Sequence, residues 1–222
     1  MLSKKYLVLA AIVGGMFAAA NVSAIDTVAG GPHDLTAGNG PVDAAAGPTD
    51  PCRYCHTPHN GDSLVPLWGR TGSTATGSFT PYASSTLTSP GGAQPAGISL
   101  GCLSCHDGVT AFDAIDGDAG NTTANTMSSA AGVTTGLIGE NLANDHPVSM
   151  SYAAAEGADT AINTLGGGTW VKLFNNGAVS DGVECATCHE PHNQDFWGPS
   201  VANTGKFLRT DPAGMCAECH GK

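Results

Sequence analysis

Cys52-Arg53-Tyr54-Cys55-His56-Thr57-Pro58-His59-Asn60 sets two thiols three residues apart, a histidine directly after the second, and another histidine three residues further on. The pattern recurs. Cys185-Ala186-Thr187-Cys188-His189-Glu190-Pro191-His192-Asn193 repeats it through to the asparagine. Cys102-Leu103-Ser104-Cys105-His106 and Cys216-Ala217-Glu218-Cys219-His220 repeat its first five positions. All 8 cysteines fall in these pairs, and a histidine follows each pair at once. Chance would place four histidines so with odds of roughly two in a million, which makes the Cys-x-x-Cys-His signature of c-type haem attachment specific here. In that chemistry the thiols form thioethers to the porphyrin's vinyl groups, and the next residue reaches the iron from the same side. Neutral imidazole suits that position because it is a strong nitrogen ligand for iron.

Two other uses of paired cysteines compete. Two pairs could make a Cys₄ zinc site, but this leaves four adjacent histidines unexplained. Disulfides within each pair would close loops too small to staple anything. The expected cofactors are therefore four covalently bound haem c groups, anchored by Cys52, Cys55, Cys102, Cys105, Cys185, Cys188, Cys216 and Cys219. His56, His106, His189 and His220 are the expected proximal iron ligands.

Four irons need four further ligands, and four histidines remain: His33, His59, His146 and His192. The match of counts predicts bis-histidine ligation, with no open iron position for a substrate. His59 and His192 each lie three residues beyond a proximal ligand, so both rings of each pair project from one side of the chain. They cannot grip opposite faces of one porphyrin, and each is expected to ligate a neighbouring haem. Asp34 beside His33 and Asp145 beside His146 are candidate acceptors for the free imidazole nitrogen. Met127, Met150 and Met215 are competing ligands, of which Met150 is the one worth keeping in reserve.

The ends and the composition agree with this reading. Lys4 and Lys5, the apolar run Leu7–Ala20 and the small-residue site Val22-Ser23-Ala24 form an expected signal peptide over residues 1–24. The apolar run is short for a membrane span. Residues 25–222 then carry 6 basic against 19 acidic side chains, a net charge of −13. Leu, Ile, Val and Phe make up only about 16% of them, a level at which a strongly charged polypeptide is usually disordered. Such a chain cannot offset the entropy of folding with its own apolar surface, so haem is expected to serve as its core.

The predicted fold class is a multihaem cytochrome c: mostly irregular loops, a few short helices and minimal strand, wrapped round a four-haem stack. The expected organisation is one domain over residues 25–222. It comprises an N-terminal arm (25–51), a first haem pair (52–110), a loop-rich segment (111–184) and a second haem pair (185–222). The repeated Cys-x-x-Cys-His-x-Pro-His suggests duplication of a two-haem unit. Arg70–Ser78, Thr80–Gly97 and Asp116–Gly136 read as loops. Tyr152–Leu165 reads as a helix weakened by Gly157, and Leu100–Leu103 and Thr169–Phe174 read as short strands. Trp68, Phe79, Tyr82, Phe112, Trp170, Phe196 and Trp197 read as haem-packing side chains.

Pro32-His33-Asp34-Leu35, Cys-x-x-Cys-His-Thr-Pro-His-Asn, Pro66-Leu67-Trp68, the Leu100–Gly108 segment around the second motif, Asp145-His146-Pro147-Val148 and Phe207-Leu208-Arg209 before the last motif together resemble a known family. It is that of the doubled-CxxCH, cytochrome c3-like multihaem proteins of metal-reducing bacteria. Within it the chain is similar to tetrahaem cytochromes that polymerise into extracellular filaments, a resemblance spanning Pro32–His220. It implies bis-histidine ligation throughout and one distal histidine supplied by the adjacent subunit, for which His33 on its arm is the candidate.

The expected function is electron transfer by hopping between closely spaced haems, not enzymatic catalysis. A head-to-tail filament subunit is the leading expectation. A soluble periplasmic or extracellular shuttle is the alternative, and a multihaem reductase is disfavoured because no Cys-x-x-Cys-Lys motif is present. The expected location is extracellular or the outer cell surface, otherwise the periplasm. Expected partners are further copies of the chain, other redox proteins and metal-oxide or other extracellular acceptors. The acidic balance disfavours nucleic acid.

Overall fold

The computed structural model describes residues 28–36, 48–61, 65–70, 79–87, 94–112, 114–115, 126–128, 136–192 and 207–221. The expected signal peptide, Phe196, Trp197, most of the loop segments Arg70–Ser78 and Asp116–Gly136, and residues 88–93 of the segment Thr80–Gly97 lie outside the described residues. Regular structure among the described residues is sparse. It consists of a 3₁₀ turn (Pro51–Tyr54), helices α1 (Gly97–His106), α2 (Tyr152–Ala158), α3 (Cys185–Cys188) and α4 (Pro212–Cys219), and two-residue strands β1 (Met150–Ser151) and β2 (Gly182–Val183).

Three of the helical turns and the 3₁₀ turn carry the cysteine pairs, for a local reason. Two thiols and an imidazole at positions i, i+3 and i+4 come to one side only on a helical turn. In three motifs the histidine N–H closes that turn on the first cysteine's carbonyl: His56 to Cys52 at 2.8 Å, His189 to Cys185 at 3.0 Å and His220 to Cys216 at 2.9 Å. Each turn starts with its own device. Asp50 Oδ1 accepts from Cys52 N at 2.9 Å, and Pro212 opens α4, where its missing N–H costs nothing.

Leu100–Leu103 is not a strand but the middle of α1. The turn demanded by the second motif overrides the apolar run, and buried Ser99 ties α1 to α3 by accepting from Cys185 N at 3.0 Å. Gly97 has φ +50°, and a Cβ there would lie 2.9 Å from Asn176 Cα. Thr169–Phe174 is not a strand either. Only Phe174 pairs, in an isolated antiparallel bridge to Gly182, because β2 offers just two residues. The helix expected over Tyr152–Leu165 stops at Ala158, with Gly157 in its last turn and Asp159 extended. The chain leaves the helix in time for Ile162 to bridge His220.

β1 and β2 pair antiparallel, Met150 with Val183 and Ser151 with Gly182. Asp181 ties α2 to this pair, accepting from Ser151 Oγ at 2.9 Å and Ala153 N at 2.8 Å. Two small apolar clusters complete the packing. One joins Leu35, Tyr54, Phe112, Ile115 and Met127, with Cys55 and Cys105 against it. The other joins Phe79, Leu103 and Leu142, with Leu100 against it. Both touch the cysteine-bearing turns, so the polypeptide's own core is built around those turns.

The first and third motifs share a scaffold. Thr57 N donates to Leu67 O at 2.7 Å and Gly69 N to Cys55 O at 2.8 Å. Glu190 N donates to Phe207 O at 2.7 Å and Arg209 N to Cys188 O at 2.8 Å. Leu67 and Phe207 occupy the same place and both have positive φ, +57° and +52°. This equivalence repeats at the level of hydrogen bonds what the His-x-Pro-His-Asn repeat shows in sequence.

Candidate functional site

Three pairs of histidines face one another, each made of one motif histidine and one spare histidine. His33 and His106 have ring centroids 6.2 Å apart, His56 and His192 6.0 Å, and His146 and His220 6.3 Å. With interplanar angles of 86°, 19° and 68°, these are edge-on and stacked ring contacts, each bringing a motif imidazole beside a spare one. A haem iron held between the members of such a pair would take its nitrogen ligands from those two rings. His192 therefore stands opposite the first motif's histidine although it follows the third motif in sequence, and so links the two halves of the chain.

The fourth combination, His59 with His189, is not brought together in this way. His59 is exposed and makes no ring contact among the described residues, while its carbonyl accepts from Thr57 Oγ1 at 3.0 Å. His189 bridges Leu208 and lies within electrostatic reach of His33 and His106.

Ring orientation is set through Nδ1. His56 Nδ1 meets Pro66 O at 3.0 Å, His106 Nδ1 meets Gly136 O at 2.5 Å, and His146 Nδ1 meets Pro147 O at 2.9 Å. His33 Nδ1 meets Pro191 O at 3.4 Å, and His192 Nδ1 meets Glu190 Oε1 at 3.1 Å. With Nδ1–H donating to oxygen, Nε2 carries the lone pair for a metal, the arrangement that fixes tautomer and ring direction in metal sites. The acceptors are not the adjacent aspartates expected for His33 and His146. Asp34 instead turns back on its own loop, accepting from Gly30 N at 2.7 Å and Thr36 N at 3.1 Å. Glu190 is held in turn by Arg209, whose Nη2 lies 2.8 Å from Oε2.

Burial disfavours the charged form of His33, His106 and His146. Burial, the neighbouring His106 and more distant histidines lower the His33 pKa to about 4, against the raising effect of Pro191 O. Burial likewise lowers His106 and His146. Neutral imidazole is the metal-binding form, so burial favours ligation at neutral pH. Burial also raises the Cys55 thiol to about 12. The thiols of Cys102 and Cys185 share a hydrogen bond, which draws the second and third motifs together.

The surroundings suit a flat apolar group. The large apolar side chains that stay exposed sit beside motif histidines. Leu67 lies next to Trp68, whose ring is 5.8 Å from that of His56; Leu137 and Ile138 follow the carbonyl that orients His106, and Val109 lies three residues after it. Trp68 Nε1 is buried with no hydrogen-bond partner among the described residues. A pocket at His146 is lined by Pro81, Tyr82, Pro95, Leu142, Pro147 and Val148. None of the eight cysteines is in a disulfide, and among the described residues no three or more His, Cys, Asp or Glu side chains converge on one point. The donors come in facing pairs with thiols alongside. The residues present thus fit haem c, with a cysteine pair beside each motif histidine and a second imidazole facing three of the four.

His33 stands against His106 of its own chain. Phe207 stacks on its ring at 4.4 Å, and buried Asp34 and Leu35 anchor the loop that carries it. Within the single chain the His33 ring thus lies beside that of His106. Met127 packs in the first apolar cluster and Met150 in β1. Sequence reasoning missed Phe207, and the repeat that aligns it with Leu67 was the signal that could have found it. It also missed Arg70, a buried cation whose guanidinium donates to Tyr54 O (3.0 Å), Phe112 O (2.8 Å), Ala111 O (2.7 Å), Ser104 O (3.0 Å) and Ser104 Oγ (3.0 Å).

Neither a known protein family nor a curated protein matches the chain. Among the described residues no helix is long and apolar enough to cross a membrane.

Proposed function

We propose that this chain is an exported electron carrier that binds four haem c groups, each through one Cys-x-x-Cys-His motif and a second imidazole. One observation carries the reading: three motif histidines each face a different spare histidine at 6.0–6.3 Å. Bound haem supplies reversible one-electron chemistry and is otherwise unreactive when both axial positions are filled. The chain's residues hold the ligands, fix their tautomers through Nδ1, and cover the apolar faces. A haem with two imidazole ligands would leave no iron position for a substrate, and three such ligand pairs favour carriage over reduction of a ligand.

The resemblance supports a filament subunit as the form in which the carrier works. The internal use of His33 favours a soluble shuttle. The two readings part at His59, which pairs with His189 inside the chain in a shuttle and between copies in a filament. Electron paramagnetic resonance of the ferric monomer, followed by negative-stain microscopy after concentration, tests this. A monomer with one high-spin haem that turns low-spin as filaments appear supports the filament. A monomer with four low-spin haems and no filaments establishes the shuttle. Fewer than four haems by intact mass overturns both.

A further inference from the structure

Glu184 is a buried carboxylate between two haem-attachment turns. It is 1% exposed, directly precedes Cys185, and faces Ser99, which is 0% exposed and three residues before Cys102. Ser99 Oγ donates to Glu184 Oε2 and itself accepts from Cys185 N at 3.0 Å. Ser149 Oγ donates to Oε2 at 3.0 Å, and Asn176 Nδ2 donates to Oε1 at 2.9 Å. Glu184 N donates to Thr187 Oγ1 at 2.9 Å, fixing the start of α3. The space is shaped for this group: a Cβ on Gly182 would lie 2.8 Å from Oε1 and 2.9 Å from Phe174 O.

All of these donors are neutral. A buried carboxylate is costly unless hydrogen-bonded, and here three side-chain donors solvate the charge without cancelling it. An uncancelled negative charge in a low-dielectric interior acts strongly on any neighbouring group whose charge changes. A ferric haem gains an electron and loses one positive charge on reduction. We propose, on the basis of the haem reading above, that Glu184 is a positioning residue whose fixed charge lowers the reduction potentials of the haems attached at Cys102 and Cys185 relative to those attached at Cys52 and Cys216.

Among the described residues, the titratable groups facing Glu184 are the thiols of Cys185 and, through it, Cys102. Both cease to titrate once they are thioethers. Burial raises the Glu184 carboxyl above its ordinary value, with Ser99, Asn176 and Ser149 opposing. Acidification therefore discharges it before exposed carboxylates. One electron from added reductant converts ferric to ferrous iron, no bond of the chain breaks, and the only proton involved moves between solvent and the carboxylate.

The test is potentiometry of the haem-loaded protein with the four haems resolved by nuclear magnetic resonance of their methyl groups. Intact mass first establishes four haems, so that failure of the haem reading is seen separately. Glu184→Gln is expected to shift one or both of the Cys102 and Cys185 haems upward in potential and leave the other two unmoved, while Glu184→Asp, which keeps the charge, stays near wild type. Equal potentials in wild type and Glu184→Gln overturn the proposal, as does an equal disturbance in both variants, which would mark a purely structural role. If Glu184→Gln fails to load four haems, the wild-type titration decides. A rise in these two potentials on acidification, larger than in the other two, supports the proposal, and an equal response of all four overturns it.

Discussion

Replacing His33 with alanine removes one imidazole from one facing pair and leaves the other two pairs intact. His33 faces His106 at 6.2 Å, whereas His56 faces His192 and His146 faces His220 on other parts of the chain. One haem of four loses its sixth ligand, so about one quarter of the ferric signal converts from low to high spin. The affected haem is the one attached at Cys102 and Cys105. The fold is expected to hold, because Asp34 and Leu35 anchor the loop independently of the ring. Loss of the stack on Phe207 costs on the order of 1 kcal/mol, small beside the packing of the haem itself. Spin quantitation of purified monomer reads the fraction, and added imidazole should restore the low-spin signal by filling the vacated space. A His33→Ala protein that stays wholly low-spin, or one in which half or more of the haem converts, refutes the pairing. Assembly is a separate readout: with His33 used within its own chain, the variant should form filaments to the same extent as the wild type.

Arg70→Met should lower the melting temperature sharply, since several buried carbonyls lose their donor at about 1–3 kcal/mol each. A differential scanning calorimetry shift of less than a few degrees would show that water replaces the guanidinium. The Asp181 carboxyl is held below the usual value, chiefly by Ala153 N–H and also by Ser151 Oγ, with burial opposing. Its folded pKa being depressed, its contribution is full above the ordinary carboxylate pKa of about 4 and fades as pH falls through the folded value. Asp181→Asn should therefore melt below wild type at pH 7 and together with it in strong acid; a gap constant with pH would contradict this. Polypeptide made without haem attachment should lack a cooperative thermal transition by circular dichroism, because its apolar clusters are small.

The cysteine and histidine pattern was legible because it is a statement of covalent and coordination chemistry at fixed spacing. Which histidine faces which was not. His192 lies three residues from His189 yet stands opposite His56, and His33 comes to His106 through an anchor at Leu35 that spacing does not reveal. Leu100–Leu103 was misread because an apolar run alone does not tell strand from buried helix, while the second motif's need for a turn does. Asp34 and Asp145 were plausible orienting groups by proximity, but backbone carbonyls already lie within reach of the rings. Glu184 and Arg70 gave no signal, since a single buried charge has no sequence periodicity and its partners come from segments up to 85 and 42 residues away.

The pairing of histidines across iron is tested most directly by an anomalous-scattering map of the haem-loaded protein at the iron edge. The expected map has one iron between His33 and His106, one between His56 and His192, one between His146 and His220, and a fourth bound to His189. A map without iron, a zinc edge in its place, or irons lying between other combinations of these rings would contradict it.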